Sequence, residues 1–217
     1  MLTVNPDRNV VEQMLADGLL RCPDCCGVLA PWGHVPRRFM RSVSGQVEEI
    51  RLRRTICPSK HDDGRRRTHV LLPAYLLGRR LDVVETIWAV VRARGDRWGW
   101  RRQTALVGRA ASTVRGWSGR ACDRAEMIRV RFVQVEHLLV SADGDDMSRV
   151  APAGSVLGDA VAQIGVCLAA VRRALPRVIA MGVARVVTVL SDGWLLGTRR
   201  LRSLLPGSNI STHLYVP

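Results

Sequence analysis

The run Cys22-Pro23-Asp24-Cys25 constrains this chain more than any other feature. A Cys-x-x-Cys turn presents two thiolates from one tight knuckle, which is half of what a tetrahedral structural zinc requires. Pro23 stiffens the turn and Gly27 lets the chain leave it. The other half is predicted at Cys57-Pro58-Ser59-Lys60-His61, where Cys57 and His61 stand in Cys-x-x-x-His spacing, with His69 competing for the fourth position. The expected ligands are therefore Cys22, Cys25, Cys57 and His61. Cys26, next to a ligand, is expected to point away from the same metal. A small β-unit has little core of its own, so Zn2+ here would serve folding. A catalytic zinc would want an open position and a nearby general base, whereas Asp62 and Asp63, which follow His61, lie in a charged loop.

The hydrophobic pattern divides the rest of the chain. Val10, Val11, Met14 and Leu15 fall at helix spacing ahead of Gly18, which predicts an N-terminal helix within residues 1–20. Residues 21–75 hold alternating stretches such as Val47–Arg53 and turns rich in Gly and Pro, as a β zinc ribbon would. From Leu81 the period changes, with Leu81, Val84, Ile87, Trp88 and Val91 on one helical face. Ile128, Phe132, Val135 and Leu139 make one later stripe. Leu157, Val161, Ile164, Leu168 and Val171 make a second, suited to packing on the first. The fold class predicted is α+β, mainly α: a zinc ribbon, a helix-turn-helix over 80–121, a helical region over 122–196, and a poorly ordered tail over 197–217.

The helix-turn-helix rests on a twenty-residue frame. That frame wants a small residue at its fifth position, Gly at its ninth for a left-handed turn, and an aliphatic residue at its fifteenth to join the helices. Starting at Trp100, these positions fall on Thr104, Gly108 and Val114. Gln103 and Arg109 are unusually polar for their places. Ser112 is expected to cap the second helix, with Thr113, Arg115, Gly116 and Gly119 facing outwards. Arg115 is the side chain expected at a base edge, and Arg101, Arg102, Arg109 and Arg120 are expected at phosphates.

Charge supports a polyanionic partner. The chain holds 33 basic and 19 acidic side chains, formally +14, and residues 21–120 hold 21 basic against 8 acidic. Nearly all the excess lies in the segment that contains both motifs, which is the electrostatic footprint of nucleic-acid binding. All the basic residues but Lys60 are arginines, a bias that codon usage in a GC-rich genome would also produce. Met1–Asp7 lacks the basic and apolar regions of a secretory signal, so a reducing cytoplasm is expected, where clustered cysteines hold metal rather than pair. The long apolar stretches are interrupted by charges, so no membrane span is expected.

The tracts Arg21–Cys25, Arg51–Cys57 and Arg67–Pro73 resemble the zinc ribbon at the head of certain bacterial insertion-sequence transposases. Ala111–Trp117 is similar to the recognition helix of the homeodomain-like part that follows that ribbon. The arrangement also resembles a family of zinc-ribbon and helix-turn-helix proteins of high-GC bacteria. The likeness covers roughly residues 20–120 and implies binding of double-stranded DNA and a relation to mobile elements. It departs at Cys57, where that ribbon usually ends in a second Cys pair and this chain continues to Lys60, His61 and a charged loop.

A transposase core needs three well-separated carboxylates holding two metal ions. Of the acids in the 94 residues after Asp123, Asp143, Asp145 and Asp146 cluster in one loop and the pattern around them is helical, so no strand-transfer or nuclease activity is expected. No Ser-His-Asp set or Gly-rich phosphate loop stands out either. The leading expectation is a non-enzymatic DNA-binding protein, a regulator or mobile-element accessory, with a homodimer contact through its C-terminal helices. The alternatives are a subunit of a transposase or other enzyme whose active site a partner chain completes, and an RNA- or protein-interaction module.

Overall fold

A computed structural model describes residues 1–143, 149–174, 182–191, 193, 195 and 196. Among them are six strands and seven helices, the α+β, mainly α architecture expected. The tail predicted over 197–217 lies outside the described residues.

The chain opens with β1 (Leu2–Val4) and α1 (Arg8–Ala16), followed by β2 (Ala30–His34), β3 (Arg38–Arg41), β4 (Val47–Ile50), β5 (Arg53–Ile56) and β6 (Thr68–Pro73). Asp7 starts α1 by accepting the Asn9 N–H at 2.8 Å, and the left-handed Gly18 follows its end. Strand β6 organises the four-stranded sheet β1-β6-β5-β2: it pairs parallel with β1 and antiparallel with β5, which pairs with β2. Successive side chains of a strand leave opposite faces. Leu71 therefore enters the core shared with Leu2, Val4, Val11, Met14 and Leu15, while Leu72 joins Leu52, Leu76 and Val83 on the other side. Residues 1–20 thus belong to the same packed unit as the ribbon. Strands β3 and β4 form a separate antiparallel hairpin, Arg41 opposite Val47, whose Met40 and Ile50 pack on the second cluster.

The helical part comprises α2 (Val84–Gly95), α3 (Trp100–Val107), α4 (Ala111–Asp123), α5 (Ala125–Asp143), α6 (Val156–Ala174) and α7 (Val183–Leu190). Val84, Ile87, Trp88 and Val91 are buried as their period predicts, but Leu81 precedes the helix and is 52% exposed. The stripes of α5 and α6 meet in one core that also takes Val114 and Trp117 of α4 and Val186, Val187 and Leu190 of α7. Ala74, just after β6, packs into this helical core, and the Gly78 N–H donates to the Gly193 carbonyl at 2.9 Å, while the Arg185 guanidinium of α7 meets Glu85 of α2 at 2.9 Å.

Candidate metal centre and nucleic-acid interface

The knuckle is closed by its own backbone. The Cys22 N–H donates to the Gly27 carbonyl at 2.7 Å and the Cys26 N–H to the Cys22 carbonyl at 2.8 Å. Cys26 adopts a left-handed φ of 58°, which turns the chain back while its own exposed side chain stays out of the cluster. The ligand atoms of Cys22, Cys25, Cys57 and His61 then all lie within 4.8 Å of one another. The Cys25 and Cys57 sulfurs are 3.4 Å apart, and Cys22 Sγ is 3.8 Å from His61 Nε2. Metal bonds of about 2.3 Å to sulfur and 2.0 Å to nitrogen in a tetrahedron require spacings of about this size, so the four donors fit a metal ion. Gly27 clears the cradle, since a Cβ there would stand 3.2 Å from Ser59 Oγ, 3.4 Å from Cys25 Sγ and 3.7 Å from Cys57 Sγ.

His69 sits on β6 and is buried, with Nε2 3.4 Å from Cys22 Sγ. It clusters with Cys22 and Asp24 but not with Cys25 and Cys57. A histidine behind a ligand orients it through a hydrogen bond, and His69 is placed for that role towards Cys22. Asp24 is held by Arg67 at 3.2 Å. Burial pushes the Cys22 thiol up to about 11, while the Gly27 N–H and then the Cys57 thiol hold Cys25 below the ordinary thiol range. Metal loading at neutral pH therefore displaces a proton from Cys22 at least.

The helix-turn-helix frame falls where its small residues predict. Gly108 ends α3 at φ 59°, ψ 36°, a conformation that only glycine adopts without cost, and its N–H donates to the Thr104 carbonyl at 2.9 Å. Val114 and Trp117 are buried beneath the turn. Gln103, polar where an apolar residue is usual, is also buried. It accepts the Ser118 hydroxyl at 2.6 Å and donates to the Trp98 carbonyl at 2.6 Å, bridging α3 to α4.

Two expectations are corrected here. Ser112 does not cap α4: the cap position is Ala110, which makes no side-chain cap bond, and Ser112 lies exposed within the first turn. Arg109 is not a free phosphate contact, because its side chain is only 5% exposed and fully engaged. Its Nε donates to Asp82 Oδ1 at 2.6 Å, one Nη to the Ser42 carbonyl at 2.6 Å and the other to the Val107 carbonyl at 3.2 Å. A charge this buried needs such partners. The helical turn is thereby tied to the β3–β4 hairpin, a link that spacing along the chain does not signal, although the odd polarity of Arg109 and Gln103 marks both positions.

No family model, curated protein or solved structure matches the chain. Arg101, Arg102, Arg115 and Arg120 are exposed as expected, while Thr113 is half-buried. Arg102 stacks over Trp98 at 3.5 Å, and Arg101 and Arg115 lie over the Trp100 ring at 5.3 and 5.2 Å. Sequence reasoning missed these tryptophans, which hold Arg101 and Arg102 of α3 and Arg115 of α4. Among the described residues, no helix is long and apolar enough to cross a membrane.

Proposed function

We propose that the chain is a non-enzymatic protein that binds double-stranded DNA through α4, with one zinc ion holding the ribbon beside it. The observation that carries this reading is the exposed face of α4. Arg115 stands there among Ser112, Gly119 and Arg120, one turn into the helix, which is the part of a recognition helix that enters the major groove, while Gly116 is half-buried beneath Arg120, whose guanidinium donates to its carbonyl at 2.9 Å. Glycine inside a helix costs up to about 1 kcal/mol relative to alanine. A Cβ at Gly119 would meet nothing within 4 Å, so packing within the chain does not call for glycine there. A bare backbone beside Arg115 suits close approach to a base edge. Arg101, Arg102 and Arg120 flank it for phosphates.

Three thiolates and an imidazole are a soft, closed set that favours zinc in a structural role. The buried carboxylates of Asp82 and Glu136 are bound to Arg109 and Gln163, which suits structure rather than acid–base work. A role as regulator or mobile-element accessory rests on the resemblance of residues 20–120 to transposase ribbons. A homodimer contact would draw on what the α5–α6 pairing leaves exposed, Val130, Leu138 and Val156.

Titration of a selected duplex and a scrambled one tests the assignment. A bidentate Arg–guanine contact supplies roughly 1–3 kcal/mol of discrimination, so Arg115→Ala should flatten preference at one base position and leave non-specific binding mostly intact. Arg102→Ala should weaken both duplexes alike and lower the salt slope by about one. Equal losses on both duplexes for Arg115→Ala would remove α4 from the groove.

A further inference from the structure

Resting on the DNA-binding reading above, we infer that the β3–β4 hairpin is a second DNA-contacting element, its turn seated on the sugar-phosphate backbone beside the groove that α4 enters. The observation is the clamp at Arg109, two residues before α4 begins, which holds the Ser42 carbonyl at 2.6 Å and Asp82 at 2.6 Å together. A Cβ on Gly45 would lie 3.5 Å from the Arg109 guanidinium, so the hairpin turn touches the helical turn directly. The strand behind it is fixed as well. The Arg41 N–H donates to the Leu81 carbonyl at 2.7 Å, and the Val83 N–H to the Arg41 carbonyl at 3.1 Å. The hairpin turn and the start of α4 are therefore held to each other through Arg109.

The chemistry of the turn fits phosphate. From Arg41 to Val47 there is no carboxylate, and the residues are Arg, Val, two serines, Gly, Gln and Val. Val43, Ser44, Gln46 and Val47 are exposed, and the Arg41 side chain is 41% exposed, 3.9 Å from the inner Asp82. The Ser42 and Ser44 hydroxyls bond each other at 2.9 Å. Left-handed Gly45, with φ 91°, lets the chain reverse tightly, the Ser42 N–H reaching the Gln46 carbonyl at 2.9 Å. Hydroxyls, a side-chain amide and one arginine on a narrow turn are the groups that position a protein on a duplex without reading its sequence. Of the hairpin's acids, Glu49 is met by Arg37 at 3.0 Å, and Glu48 follows the turn on β4, opposite Met40.

The test uses the zinc-loaded full chain and its duplex affinity as a function of salt, for wild type, a Ser44→Glu, Gln46→Glu double variant, and Ser44→Lys. These side chains are exposed, so unchanged circular dichroism and zinc content will confirm intact folding. The double variant should lose about tenfold in affinity on selected and scrambled duplexes alike, and Ser44→Lys should gain affinity and steepen the salt slope by about one. Hydroxyl-radical footprinting should show backbone protection to one side of the α4 site that the double variant loses. Wild-type binding that both substitutions leave unchanged would overturn the hairpin inference alone. Absence of wild-type duplex binding at low salt would overturn the DNA-binding reading, and this inference with it.

Discussion

Replacing Cys57 by Ser should strip the protein of its metal ion and unfold the sheet that carries the site. Cys57 and Cys22 are buried in the same cluster as Leu2, Val4, Met14, Leu20, Leu29 and Leu71, so the ligands are part of that small core. Apparent binding energies of structural zinc sites, roughly 10–16 kcal/mol, are as large as the whole stability of an ordinary domain, and a unit this small has no reserve to replace them. Purified Cys57→Ser protein should contain far less than one zinc per chain and lose its sheet signal in circular dichroism. Wild type should do the same on exhaustive chelation. In the same metal analysis, His61→Ala should lose the ion, whereas His69→Ala should retain it with affinity reduced about 10–100-fold, as for a residue that only orients a ligand. A chelated protein that keeps its sheet would refute the structural role, and zinc lost from His69→Ala alone would give the fourth position to His69.

Asp82→Ala should cost about 3–5 kcal/mol, because it leaves the Arg109 guanidinium buried without its counter-charge. The pair is short, 2.6 Å, and both side chains are nearly sealed, 5% and 8% exposed. The remaining partners, the Ser42 and Val107 carbonyls, are neutral. Adding Arg109→Met should recover much of the loss, since removing the stranded charge removes the penalty. Denaturant unfolding of the two variants and wild type provides the comparison. A loss below about 1 kcal/mol for Asp82→Ala would show that the pair behaves as a solvated one.

The sequence was legible where chemistry or period marks a residue. Three cysteines and a histidine at metal-binding spacing, a glycine at the turn and two apolar stripes each impose a local geometry that the folded chain keeps. What stayed hidden depends on contacts between distant residues. Strand β1 is three residues long, too short to show a period, and exists because β6 offers an edge. Ser112 has the side chain of a cap, yet the helix begins earlier, with Ala110 in the cap place. Arg109 looked like another member of a basic patch, and only the return of Asp82 and Ser42 to its side makes it structural. Local spacing carries no information about such long-range pairs, although a polar residue in an apolar slot of a motif is a usable warning.

The most direct measurement of the central claim is the affinity of the zinc-loaded full chain for a duplex of random sequence, followed across salt. Contacts from Arg101, Arg102 and Arg120 release counterions at about 0.9 per phosphate, so log K against log salt should fall with a slope of about −3 or steeper. Affinity that is undetectable at low salt, or that does not change with salt, would contradict the account.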